Sequence, residues 1–178
     1  MPRLKSRVQI PSPAPNKTGG CGVTVAPFFL PSGLFITGLI TPKRTIFRNV
    51  KGRIGVGESA CGVLIIDDSG QEHEFSTYLG HKTVPQAEFE GLIFALDKAS
   101  EVLRRNQKVE VWMDSDLVVK WMNKVFRLRQ EHIKPLFDRA NELAQRFAAV
   151  EYYHHSRDCN LAKRADSLAS AKYEEHHK

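Results

Sequence analysis

Three acids in this chain stand where an acid is costly. Glu88 falls on one helical stripe with Gly91, Leu92, Ala95, Leu96 and Ala99, the face such a helix buries, whereas Glu90, Asp97 and Lys98 take other faces. Asp114 directly follows Val109-Glu110-Val111-Trp112-Met113, a run rich in β-branched and aromatic residues that reads as a short strand. Asp166 sits beside Ala165, Leu168 and Ala169 rather than on the charged face of its helix. A carboxylate among apolar neighbours costs free energy unless a cation or hydrogen bonds compensate it. Each has an ordinary reading: Glu88 at the wet edge of its stripe or paired with a core arginine, Asp114 or Ser115 a helix cap, Asp166 a rim residue. The chemical reading is that carboxylates from different elements converge at one end of a sheet, where ligands gather beyond the carboxyl ends of strands, and there suggest a divalent metal site.

The elements that must position them follow from periodicity and breakers. Thr83-Val84-Pro85-Gln86 carries a capping box and a proline in the first turn, so the Glu88 helix is predicted to start there and run to Ala99. Ahead of it, Thr45–Val50 reads as strand one, a Gly-rich connection follows, and Cys61–Ile66 reads as a buried second strand. Asp67-Asp68-Ser69-Gly70 is a hairpin turn leading to a third strand, Glu72 to Leu79. Beyond Asp114 come a helix from Ser115 to about Asn123, a basic connection, and a helix from about Ile133 to Phe147. A strand at Val150–His155 and a last helix with Leu161, Ala165 and Leu168 complete the order β-β-β-α-β-α-α-β-α. Three strands that can pair as a meander, followed by crossovers, make an α/β layer fold on a mixed sheet.

Composition bounds the rest. At 178 residues, the chain is one domain with room for an ordinary core, and 42% hydrophobic with 26% charged residues is typical of a globular protein. The net charge of +6 is unevenly held: residues 1–57 contain nine Lys/Arg and no acid, while the remainder has 17 Lys/Arg against 20 Asp/Glu. That basic third can approach phosphates or be a solvated tail. Cys21, Cys61 and Cys159 are odd in number and widely spaced, with no C-x-x-C pair, which fits free thiols in a reducing, cytoplasmic setting and gives no zinc pattern. The Val23–Ile40 stretch is interrupted by Pro27, Pro31 and Gly33, so no membrane span is expected, and the basic residues ahead of it leave a signal or transit peptide as an alternative. Residues 1–42 are rich in breakers and are expected to be an irregular basic extension to a domain at 43–175. Ser6–Pro15 reads like the end of a transfer-RNA gene translated as protein, so the native start is expected downstream at a non-Met codon, the next methionine being Met113.

The text Ala87-Glu88-Phe89-Glu90-Gly91-Leu92, then Asp114-Ser115-Asp116-Leu117-Val118-Val119, then His155-Ser156-Arg157 leading to Asn160 and Ala165-Asp166-Ser167-Leu168-Ala169, resembles the ribonuclease H domain. The compact plant/archaeal-type, reverse-transcriptase-like branch is the closer match, over about residues 45–172, and no basic helical protrusion follows Met122. The resemblance implies a three-layer fold, with a five-stranded mixed sheet and helices on both faces. It also implies that four acids hold two Mg²⁺ or Mn²⁺ ions for hydrolysis of the RNA strand of an RNA–DNA hybrid. Glu88, Asp114 and Asp166 match three of these positions, and counting back from Gly62 puts Asn49 at the fourth, where the family has Asp. Val84 and Pro85 replace two Asn that commonly read the hybrid's minor groove, and the gap from Asn160 to Asp166 is longer than usual. Candidate contacts to nucleic acid are Lys51, Gln86, Ser115, Lys124, Arg127 and Arg157, with His154 and His155 near the expected site; Trp112 and Trp121 are expected in the core. The runner-up reading is a catalytically weakened domain that binds nucleic acid or a protein partner without cutting.

Overall fold

The computed structural model describes the backbone of residues 34–37 and, in full, residues 56–103, 107–155 and 160–178. Strands β1 (Leu34–Thr37), β2 (Val56–Ile66), β3 (Glu72–Thr83), β4 (Lys108–Met113) and β5 (Ala149–His154) hydrogen-bond in the order β3-β2-β1-β4-β5. β2 runs antiparallel to β1 and β3, while β1, β4 and β5 are parallel. Consequently the carboxyl ends of β1, β3, β4 and β5 and the amino end of β2 share one edge. Leu34–Thr37 corrects the reading of residues 1–42 as irregular throughout: the apolar, partly β-branched run Leu-Phe-Ile-Thr follows the breakers Pro31 and Gly33, and a four-residue strand is too short to stand out among them. The expected strand at Thr45–Val50 lies outside the described residues.

Helix α1 (Val84–Val102) begins as its sequence dictates. Thr83 accepts from the Gln86 N–H, the Gln86 side chain answers the Thr83 N–H at 3.0 Å, and Pro85 occupies the first turn. Its buried face is Ala87, Glu88, Phe89, Gly91, Leu92, Ala95, Leu96 and Ala99. This face covers Cys61, Val63 and Ile65 of β2, and α2 (Asp116–Met122) and α3 (Lys134–Ala144) share that side through Val118, Trp121, Ala140 and Leu143. Phe89 lies at the centre, stacked on Trp121 at 5.9 Å and meeting Phe137 edge-on at 6.3 Å.

The opposite face takes α4 (Asn160–His176). Its seat is Gly62: a Cβ there would lie 2.1 Å from the Ala165 carbonyl oxygen and 2.8 Å from the Ala169 nitrogen, so only glycine admits the helix this close. Ala162, Ala165 and Ala169 form the small-residue side that makes contact. Arg164 pairs with both Glu72 (2.7 Å) and Glu74 (2.5 Å) on β3.

A bulge falls where Ser59 pairs with Gly80 and Ala60 with Tyr78, leaving Leu79 as the extra residue of β3. Gly80 carries φ +75, a left-handed conformation that L side chains rarely adopt. Before the bulge Glu72, Glu74 and Tyr78 face α4, and Phe75 and Leu79 face α1; after it His81 turns to the α4 side, where it approaches Glu58, and Lys82 pairs with Glu90 of α1 at 2.7 Å.

Candidate active site at the sheet edge

Register places the acids relative to one another. Thr37 of β1 is opposite Leu64 of β2 and Trp112 of β4, so these three form one row across the sheet. Two residues further toward the shared edge, that row reaches Gly62 on one strand and Asp114 on the other, about 10 Å apart at two strand spacings. Asp166 follows Ala165, the residue seated on Gly62. Glu88 is in the second turn of α1, which leaves β3 at the same edge. The three elements therefore deliver acids to one end of the sheet from three directions: Glu88 from the α1 face, Asp166 from the α4 face, and Asp114 from the end of a central strand.

Their surroundings differ. Glu88 is 5% exposed, Asp114 and Asp166 are half-buried, and one carboxylate oxygen of Glu88 and one of Asp114 are buried. Among the described residues, no three His, Cys, Asp or Glu side chains gather as a metal-holding group, so the sequence-derived ligand set does not close here. Hard carboxylate oxygens, two of them buried, are nevertheless the donor type that Mg²⁺ and Mn²⁺ select. The fourth expected member, Asn49, lies outside the described residues, as do Lys51 and Arg157.

The remaining candidates divide. Gln86 is committed to the cap, its side-chain oxygen lying 3.0 Å from the Thr83 nitrogen and 2.9 Å from the Thr83 hydroxyl. Ser115 is the residue before α2 and makes no side-chain cap bond, so the Asp114-Ser115 step is not a conventional N-cap. Lys124, with φ 58, and Arg127 are exposed and line a cavity of about 550 Å³ with Trp121, Val125, Phe126 and Phe137, beyond the far end of α2 from Asp114. His155 is 9% exposed and its N–H donates to the Met113 carbonyl, which puts it beside Asp114, whereas His154 is exposed. Trp121 is buried as expected, but Trp112 is only half-buried, stacked on Tyr153 at 4.7 Å. Sequence reasoning missed Gly62; its signal was a glycine inside an otherwise apolar strand, which marks close backbone approach.

Asp67 is a turn residue, as its motif suggested. It accepts from the Ser69 hydroxyl and from the Ser69 and Gln71 N–H groups, and these bonds, with His73, hold its carboxyl well below the usual range. Burial pushes the Cys61 thiol up to about 12.

Residues 49–172 match the reverse transcriptase-like family. Among solved structures, ribonuclease H1 isolated from compost and designated LC11 shares 26% identity at a TM-score of 0.68, covering 83% of this chain and 99% of its own. The same LC11 enzyme in complex with an RNA/DNA hybrid matches at 26% identity and a TM-score of 0.64, over 82% and 99% of the two chains. Ribonuclease H1 from the halophilic archaeon Halobacterium salinarum is similar in fold at 24% identity and a TM-score of 0.63, covering 81% and 98%. No curated protein matches the chain.

Proposed function

Because the chain belongs to the reverse transcriptase-like family, we propose that it is a ribonuclease H-type endonuclease that hydrolyses the RNA strand of RNA–DNA hybrids with the help of two divalent ions. The observation that carries this reading is the delivery of Glu88, Asp114 and Asp166 to one sheet edge from three separate elements. A relative bound to an RNA/DNA hybrid supports the substrate class. Glu88, Asp114 and Asp166, with Asn49, would hold the ions. The chemistry such ions would supply is activation of an attacking water and stabilisation of the leaving 3′ oxygen.

The chain's own contribution is positioning. In this reading α4, seated on Gly62, would set the height of Asp166 above the sheet, while the end of β4 and the second turn of α1 would supply Asp114 and Glu88. Asn49 offers a carbonyl oxygen but no charge. At contact distance in a partly buried site, losing one charge against a divalent ion costs on the order of several kcal/mol.

That deficit favours a second reading, a domain that still binds hybrids but cuts them slowly or not at all. Hybrid cleavage in Mg²⁺ and in Mn²⁺, comparing the unaltered chain with Asn49→Asp, tests both. Restoring about 3 kcal/mol to the metal-bound state raises the rate on the order of 100-fold. No cleavage by either protein, together with hybrid binding that weakens steeply with salt, leaves the binding reading; neither cleavage nor binding removes both.

A further inference from the structure

β4 and β5 carry a second surface, independent of the proposed nuclease activity. Val109, Val111, Met113 and Tyr152 face the core under α1 and α2, so Lys108, Glu110, Trp112, Glu151 and Tyr153 face the other way. That is the α4 side, but α4 packs on β2, β3 and β1, and among the described residues β4 and β5 have no helix of their own there. Trp112 and Tyr153, paired in register, stack at 4.7 Å with 23° between their planes, and both remain half-buried.

Charge accompanies the rings. Glu110 and Glu151 are also paired in register on adjacent strands, a like-charge juxtaposition that destabilises a sheet unless a cation relieves it. Lys108 pairs with Glu151 at 2.9 Å, and the Tyr153 hydroxyl donates to the other Glu151 oxygen at 2.6 Å. These two bonds hold the Glu151 carboxyl below its usual range. Among the described residues, the hydrogen bond that Glu110 makes is to the indole N–H of Trp112, at a long 3.4 Å. The surface thus offers a stacked aromatic pair bordered by two carboxylates, of which Glu151 pairs with Lys108.

We propose that this face docks an arginine-bearing basic segment of a partner protein. A guanidinium is planar, so it can lie against the aromatic pair while its N–H groups reach Glu110. The in-register carboxylates repel phosphate, which sets this face apart from any nucleic-acid surface on the same molecule.

The test uses the full chain and an eight-residue capped peptide of alternating Arg and Gly, fluorescently labelled, with citrulline-Gly and Lys-Gly versions as comparisons. Anisotropy titration at low salt is expected to show saturable binding, weakened at least tenfold by Glu110→Gln or by citrulline, and weakened less by lysine. Glu142→Gln, which removes an exposed acid on α3, is expected to leave binding unchanged, and circular dichroism checks that each variant folds. The proposal is overturned by absence of saturable binding, by equal binding of Glu110→Gln and the natural chain, or by equal loss in Glu142→Gln. Self-association without peptide that Glu110→Gln abolishes would overturn it too, by assigning the face to a second copy.

Discussion

Replacing Gly62 by alanine asks whether α4 is seated as described. The added methyl would lie 2.1 Å from the Ala165 oxygen, 2.8 Å from the Ala169 nitrogen and 2.9 Å from the Leu168 Cβ. Two of these are backbone atoms inside a helix, so no rotamer change relieves the clash. Moving the nearest from 2.1 Å to ordinary contact at 3.4 Å requires α4 to retreat by about 1.3 Å. The helix resists that shift through Arg164 on Glu72 and Glu74, and through Tyr173 and His177 on Glu58. Overpacking in cores costs about 1–3 kcal/mol and occasionally more; with backbone as the obstacle, about 3 kcal/mol is expected. For a chain of this size that corresponds to a fall in Tm of about 6–12 °C. Asp166 rides on the same turn, and a displacement of about 1 Å can cost on the order of 100-fold in rate. Urea unfolding and hybrid cleavage measured on the same samples check both effects. Gly70→Ala is the control: nothing lies within 4 Å, so only the φ of +82 penalises it, by about 1–2 kcal/mol. A Gly62→Ala protein within about 0.5 kcal/mol of the natural chain, the range of ordinary surface substitutions, would refute the seating of α4 on β2.

Other outcomes follow from the same geometry. Glu88→Gln and Asp114→Asn are each expected to keep the fold, by circular dichroism, and to lower hybrid cleavage at least about 100-fold, the scale seen when one electrostatic group is removed from a site. Both ring nitrogens of His177 face acceptors, the Tyr173 carbonyl at 2.7 Å and Glu58 at 2.5 Å, and these bonds, in that order, raise its pKa above the ordinary 6.5. The His177 contribution to stability is therefore full below 6.5 and lost as pH rises through the raised folded value; Glu58, lowered chiefly by His177, contributes above 4.5 and loses its part as pH falls through its depressed value. His81, Tyr78, Tyr173 and His176 surround the pair, so the check is the pH dependence of hydrogen exchange in the last turn of α4 for the natural chain against His177→Gln. Cys61, with its thiol at about 12 and no exposure, is expected to resist alkylation at pH 8 until the protein is unfolded, as followed by mass spectrometry of the labelled peptide.

The sequence disclosed most where a local rule and the packing agree. Thr83, Pro85 and Gln86 announced the start of α1, and the stripe from Glu88 to Ala99 is the face it buries, because capping and 3.6-residue periodicity are properties of the segment itself. Asp114 was legible as a strand end for the same reason. Leu34–Thr37 was not, since four residues carry too little periodicity to outweigh the prolines before them, and only pairing to β2 and β4 makes them a strand. Gln86 shows a different limit: one side chain had two readings, a cap and a substrate contact, and geometry commits its oxygen to the first. Trp112 was taken for core because aromatic strand residues usually are; that α4 stops short of β4 depends on contacts across more than a hundred residues, which no window of sequence contains.

Leu79 and Gly80, two residues opposite one, have a reach well beyond their hairpin. Without that insertion the alternation of β3 would continue unbroken, and the chain would leave Thr83 inverted. The first helix would then be launched toward the side α4 already occupies, while Cys61, Val63 and Ile65 lost their cover. The side of the sheet from which α1 leaves β3 is thus decided by one inserted residue, and with it the face on which Glu88 is carried.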